Sequence, residues 1–323
     1  MSLLNLIDLN RKAKATRAAF GDFLLAKGAE DSKIVVLDAD LSKSTQTQHF
    51  AKKFPERFFN MGIAEANMIG TAAGLARAGF VPYAASFACF LTGRFDQIRM
   101  SVSFSETNVR LVGTHAGVAI GEDGHSQMGL EDLALMRVLP NMVVLQPADE
   151  DDALALLEWS RTYVGPCYFR LTRQNLKPVA LARNGVKVGM WDFVHTENNS
   201  IVLVQSGGLL ENTIKVAQAL KDKGHSVSVV NASWIKPTHA DNFKKIKALN
   251  PSLIVSVEDH FVVGGLASVL AEGMVEHRLN AELLKIGVHD FGASGSPDAN
   301  LKSYRLDVEG ILTQVQEKLS VKS

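Results

Sequence analysis

Residues 108–139 read NVRLVGTHAGVAIGEDGHSQMGLEDLALMRVL, and three textures follow one another along them. The run VRLVGTH is short and apolar until it ends in polar residues, the mark of a buried strand with a polar tip. Glycines at 113, 117, 121, 124 and 129 then permit a loop with several positive φ values. LEDLALMRVL restores apolar positions three and four apart, the period of a helix. A strand, a loop and a helix in that order make one unit of an alternating α/β architecture. A loop this long inside a compact domain is uncommon without a function.

The same alternation extends in both directions. Upstream, Ala, Leu and Phe spacings from Ala13 to Leu25 predict a helix over residues 1–30, and KIVVLDAD (33–40) reads as a buried strand. EANMIGTAAGLARAG (65–79) is a helix of small residues closed by Gly79, FVPYAASFACF (80–90) a strand, and GRFDQIRMSVSF (93–104) a helix. Downstream, NMVVLQPAD (141–149) and PCYFRLTRQ (166–174) are strands. Between them lies the helix DEDDALALLEWSRT, whose acidic first turn suits its macrodipole. Over residues 177–200 the period lapses into turn-rich sequence, so a domain boundary is expected near residue 185. A second pass follows, with strands at IVLVQSGG (201–208), SVSVVNASWIKP (226–237), PSLIVSVEDH (251–260) and AELLKIGVHD (281–290). Helices separate them, and SYRLDVEGILTQVQEKL (303–319) reads as a closing amphipathic helix. The expected fold class is α/β: two doubly wound domains with mostly parallel sheets, residues 1–185 and 186–323.

Composition narrows the function. Hydrophobic residues at 46% and charged residues at 21% describe a packed globular chain. Lys+Arg and Asp+Glu are both 34, so no basic field recommends nucleic acid or a membrane surface as partner. No apolar stretch approaches the roughly 20 residues of a membrane span. Cys89 and Cys167 form no CxxC or metal-ligand spacing and read as buried packing residues of a reducing compartment. The N-terminal residues lack the order of a secretory signal, and the expected address is the cytoplasm.

Ligands of doubly wound sheets bind at the C-terminal ends of the strands, and the chemistry-bearing residues fall there: Asp40, Phe87–Phe90, His115 and Arg173. Glu65 opens the small-residue helix, where a desolvated carboxyl group suits proton delivery. Phe87 and Phe90, three apart, are placed for stacking on a planar heterocycle, although core packing is the simpler account of such a pair by itself. Arg17, Ser44 and Arg173 suit an anionic substrate when taken together, since the arginine fork fits phosphate oxygens. The spacing of His115, Asp123 and His125 matches no strong metal pattern, so no metal ligand is expected in this chain.

In combination these blocks resemble a known family. ATR (15–17), LDADLSKST (37–45), RFFNMGIAEANM (57–68), ASFACFLTGRFDQIRM (85–100), the glycine loop running into LEDLALMRVLPN, and RLTRQN (170–175) look like the second half of transketolase. VNASWIKP (230–237) and VSVEDHFVVGGLASVLAE (255–272) extend the match. The resemblance implies binding of thiamine diphosphate between two domain types. One holds the diphosphate and Mg2+ with a GDG motif followed by Asn; the other, the type present here, holds the aminopyrimidine. No GDG…N block occurs in the chain, and the GEDG at 121–124 belongs to the substrate loop instead. The resemblance therefore implies a separate partner subunit carrying GDG…N, a homodimeric core of this chain and an α2β2 heterotetramer. The implied reaction transfers a two-carbon glycolaldehyde unit between phosphorylated sugars.

By position, the resemblance implies that Glu65 hydrogen-bonds N1′ of the aminopyrimidine, that Phe90 stacks on that ring with Phe87 as its neighbour, and that Asp40 and Gln127 lie on the cofactor side. It implies that Arg17, Ser44, His115 and Arg173 hold the substrate phosphate and that Asp123 reads a sugar hydroxyl. His125 stands where the family commonly has Pro, and is read as a surface residue rather than a determinant of acceptor choice. Two relatives compete with this reading: a deoxyxylulose-phosphate synthase, against which SQMGLEDLALMR speaks, and a 2-oxoacid dehydrogenase β-type subunit, against which the phosphate-binding set speaks. A non-catalytic scaffold subunit is the rival of a different class, and retention of the whole polar set speaks against it.

Overall fold

Five consecutive buried residues, Ile34–Asp38, form β1 of the structure, a computed structural model that describes residues 2–181 and 185–320. A strand buried on both faces belongs inside a parallel sheet, and β1 lies between two parallel neighbours, β2 (Phe58–Asn60) and β3 (Val81–Phe87). β4 (Arg110–Thr114), β5 (Val143–Leu145) and β6 (Cys167–Arg170) complete the parallel part, in the order β5-β6-β4-β3-β1-β2. The helices that cover this sheet include α1 (Thr16–Glu30), α2 (Glu65–Arg77), the short α3 (Ala88–Thr92), α4 (Asp132–Val138) and α5 (Glu150–Thr162). The chain leaves β1 for β2 on one side and then crosses to β3 on the other. That makes the β1–β3 crevice the switch point, and α2 the helix that carries the chain across it.

The second sheet has the order β12-β11-β8-β9-β7, formed by β7 (Asp192–His195), β8 (Ile201–Ser206), β9 (Val227–Asn231), β11 (Leu253–Phe261) and β12 (Glu282–Val288). It is parallel except for β7 at its edge. The helices α6 (Leu210–Asp222), α7 (Ala240–Ala248), α8 (Leu266–Glu276), α9 (Pro297–Ser303) and α10 (Val308–Ser320) accompany it. Two mostly parallel sheets with intervening helices are the architecture expected. The boundary expected near residue 185 adjoins residues 182–184, which lie outside the described residues.

Four local expectations are corrected. The helix expected over residues 1–30 begins only at Thr16, because Ile7 and Lys14 instead make antiparallel bridges to Val179 and Leu176. The strand expected at 80–90 ends at Phe87, and Phe90 sits on α3. SVSVVNASWIKP is two strands in different sheets: β9 stays in the second, while β10 (Trp234–Lys236) runs antiparallel to β5 at the edge of the first. The break falls where Asn231 and Ser233 turn their side chains onto the buried Asp152 carboxylate, at 3.3 and 2.5 Å. SYRLD (303–307) does not start the closing helix, since α10 begins at Val308. Cys167 is buried as expected, but Cys89 is only half-buried. Among the described residues no helix is long and apolar enough to cross a membrane.

Candidate active site

Glu65 is the first residue of α2 and only 6% exposed. Ser86, the penultimate residue of β3, donates its hydroxyl to Glu65 Oε1 at 3.0 Å. The second carboxylate oxygen has no donor among the described residues, so it is open to an N–H from a ligand. Strand alternation turns Phe87 to the opposite face from Ser86. There the Phe87 ring stands between two others, stacked on Phe90 at 5.5 Å between centroids and on His115 at 3.8 Å. The column Phe90–Phe87–His115 thus joins α3 to the tip of β4.

His115 follows β4 directly, in a positive-φ conformation (55°), and is buried. Arg17, from the first turn of α1, meets its Nε2 at 3.0 Å. A guanidinium can only donate, so Nε2 accepts and the ring proton sits on Nδ1, facing Thr114 Oγ1 at 2.9 Å. Thr114 donates onward to the Ser86 carbonyl at 3.3 Å. Ser86 therefore takes part in a polar line running from Glu65 through Thr114 and His115 to Arg17. Burial first, then Arg17 and Arg173, pushes the His115 pKa down to about 3, so the imidazole is neutral. The same Arg17 nitrogen donates to the Ser44 carbonyl at 2.7 Å, so it is the backbone of Ser44 that joins the cluster.

Arg173, three residues beyond β6, donates to the Ile120 carbonyl at 2.7 Å and pairs with Asp123 at 3.0 Å. Burial and the like charge of Arg173 both lower the Arg17 pKa, with Asp123 opposing them. Two guanidiniums facing one carboxylate leave an excess of positive charge at the strand tips. Asp40, also at positive φ (64°), is exposed and pairs with Asn60 at 3.2 Å rather than with the arginines. The buried acid of that tip is Asp38, whose carboxylate is held by Thr45, Thr47 and the Leu41 amide. Gln127 closes a single turn at 125–127, and its carbonyl accepts from the Cys89 thiol at 3.2 Å. His125 is exposed, with its ring 6.1 Å from that of Phe291. Among the described residues no group of acids, histidines and cysteines forms a metal cluster.

The structure therefore brings Arg17, Ser44, His115, Asp123 and Arg173 together, sets Phe87 and Phe90 beside them, and leaves Asp40 and His125 outside the hydrogen-bonded group. Ser86 and Thr114 were absent from the sequence reading. Each is the immediate neighbour of a residue it contained, and the alternation of sides along β3 is the one signal that singles out Ser86.

Comparison with known proteins gives two adjoining matches. Residues 12–178 match the family model "Transketolase, pyrimidine binding domain", and residues 189–311 match "Transketolase, C-terminal domain". A protein of Methanocaldococcus jannaschii named as a transketolase C-terminal section is 39% identical over 97% of this chain and 99% of its own length. Mouse transketolase is 33% identical over 94% of this chain but only 48% of its own length, so the chain spans about half of such full-length relatives. Among solved structures, one described as a split-gene transketolase, inactive β4 tetramer, superposes with a TM-score of 0.85 at 39% identity, covering 96% of this chain and all of that one. Campylobacter jejuni transketolase shares the fold, with a TM-score of 0.83 at 21% identity over 95% of this chain and 47% of its own.

Proposed function

The chain belongs to the transketolase family, and from that premise we propose that it is the pyrimidine-side half of a two-chain, thiamine diphosphate-dependent transketolase. Its reaction is transfer of a two-carbon glycolaldehyde unit from a ketose phosphate to an aldose phosphate. The first domain, up to about residue 185, contributes the site, and a separate chain carrying GDG…N contributes the diphosphate and Mg2+ grip. Two copies of this chain form the core of an α2β2 assembly. The description of the split-gene relative as an inactive β4 tetramer supports the need for that second chain.

Thiamine diphosphate, when bound, supplies the carbanion chemistry of the transfer. The residues of this chain bind, orient and handle protons. Glu65 would hydrogen-bond N1′ of the aminopyrimidine and share a proton with it, held in place by Ser86. Phe90 offers its ring to the pyrimidine, with Phe87 backing it. Arg17 and Arg173 take the phosphate, the arrangement that favours phosphorylated sugars over simple 2-oxoacids. His115 is neutral, and its Nε2 accepts from Arg17 and so orients the guanidinium that takes the phosphate. Asp123 reads a sugar hydroxyl, and Asp40 and Gln127 line the cofactor side.

One observation carries the reading: a buried carboxylate with one oxygen fixed by Ser86 and the other unclaimed, at the switch point of a doubly wound sheet. The test is reconstitution with a GDG…N chain. Glycolaldehyde transfer is expected only from the pair, and Glu65→Gln should lower kcat by roughly 100-fold or more, the scale of a lost general acid–base group. Undiminished turnover by that variant would end the assignment of Glu65.

A further inference from the structure

The loop over residues 117–129 leaves the first domain and is held by the second. Its apolar side chains Val118, Ala119, Ile120 and Met128, with the adjoining Leu130, pack into the hydrophobic cluster of the second domain, with Leu203, Val257 and Leu301. Three polar side chains of that domain then grip its backbone. Asp259, near the end of β11, accepts the Val118 N–H at 2.7 Å. Asn300, on α9 and 4% exposed, donates to the carbonyls of Val118 at 3.0 Å and Gly121 at 3.4 Å. Ser294 donates to the Glu122 carbonyl at 2.5 Å. From the other side Arg173 holds the Ile120 carbonyl and the Asp123 carboxylate.

We infer that the second domain is a specificity element of the first domain's site: Asn300, with Asp259 and Ser294, is a positioning residue that sets where Asp123 and Arg173 meet a phosphorylated sugar. The inference rests on the functional reading above for the identity of the substrate, and on the contacts alone for the grip. Asn300 acts through main-chain carbonyls and touches no substrate. It governs the placement of a carboxylate and a guanidinium already paired at 3.0 Å, so a small displacement of residues 118–122 changes the distance between the groups that face the sugar. The site at Glu65 is built on other elements, so its geometry does not depend on this grip.

The test uses Asn300→Ala and, because a buried substitution risks misfolding, the exposed Ser294→Ala as well. In the chain alone, amide exchange of residues 118–127 should quicken in both variants while that of β8 and β9 stays as in the parent. In the reconstituted two-chain enzyme, KM for the phosphorylated sugar should rise several-fold to about tenfold, the scale of one lost hydrogen bond. Turnover at saturation and the concentration of thiamine diphosphate giving half activity should hold. Unchanged exchange in the loop overturns the inference whatever the activity does. Quickened exchange with an unchanged KM for the sugar also overturns it, since the contact is then only structural. A parent enzyme with no glycolaldehyde transfer refutes the functional reading instead, and the exchange result alone then decides whether the second domain grips the loop.

Discussion

Replacing Gly117 by Ala tests how tightly the second domain closes on the loop. Gly117 has φ 87° and ψ 175°, a region that residues with a Cβ hardly enter, and the strain costs about 1–3 kcal/mol. A Cβ there would also lie 2.0 Å from Asp259 Oδ2 and 2.4 Å from its Cγ, so the carboxylate has to move. Asp259 is buried and accepts the Val118 amide, and losing a hydrogen bond to a charged acceptor costs about 1.5–3 kcal/mol more. Gly124 provides the control. Its backbone is nearly the same, φ 79° and ψ 175°, but the nearest atom to its Cβ would be Ser294 Cβ at an ordinary 3.7 Å. Gly124→Ala should therefore show the strain alone, and Gly117→Ala roughly 1.5–3 kcal/mol beyond it.

The assay is urea unfolding followed by circular dichroism at one protein concentration, run as a double-mutant cycle with Asp259→Ala. Removing the carboxylate vacates the space, so in that background Gly117→Ala should cost no more than Gly124→Ala does in the parent. The two substitutions would then be coupled by about 1.5–3 kcal/mol, each mitigating the other. Additivity within about 0.5 kcal/mol, or equal costs at Gly117 and Gly124, would refute the close approach of the two domains on which the reasoning depends.

Two further outcomes follow from buried charge. Arg170 and Asp132 are both buried, joined at 3.0 Å, with Tyr168 also donating to Asp132 at 2.6 Å and Arg170 reaching the Asp259 carbonyl at 2.7 Å. Asp132→Ala strands the guanidinium and should cost about 3–5 kcal/mol in the unfolding midpoint analysis, whereas Tyr168→Phe, which leaves the ion pair whole, should cost about 1 kcal/mol. His115 has its folded pKa pushed down to about 3 from an ordinary 6.5, so the unfolded chain binds the proton first. Its contribution to stability is complete above about pH 6.5 and is lost as pH falls toward 3, at about 1.4 kcal/mol per pH unit. His115→Asn should flatten the measured slope between pH 4 and 6 by close to one proton; an unchanged slope would show that the ring titrates normally.

The parts of the fold legible in the sequence are those decided by neighbours along the chain. IVVL is apolar at every position because both faces of β1 are covered, and the small residues of 65–77 pack close over β3. The misreadings occur where a segment leaves its own unit. WIKP has the composition of a strand and is one, but nothing local says that it pairs with β5 of the other sheet. The helical spacing begins only at Ala13, and residues 7–14 pair with 176–179 instead. The edge strand Asp192–His195 carries half-buried residues on both faces and so no clean period. In the candidate site, Glu65, His115 and Arg173 stood at strand or helix ends and could be read. Ser86 and Thr114 matter only through register, Ser86 opposite Gly113 and Thr114 opposite Phe87, and register is not written in either segment alone.

The same distinction explains why the site looks incomplete in a single chain. A fold at ease with itself does not set Arg17 against Arg173 with one partly exposed carboxylate between them. The arginine pair is unfavourable until an anion comes between them, and Glu65 has one oxygen beyond the Ser86 bond. They lie on one surface, at the C-terminal ends of β1, β3, β4 and β6, and are joined through Ser86, Thr114 and His115. A hydrogen-bonded line between the two unmet demands means that filling one restrains the side chains serving the other. A phosphate on Arg17 competes for the donor that now fixes His115, and His115 stacks on Phe87 beside the Glu65 support. The Arg17 end and the Glu65 end of the site are for that reason linked through His115 and Thr114, while the Asp123–Arg173 pair that the second domain positions stands outside that line.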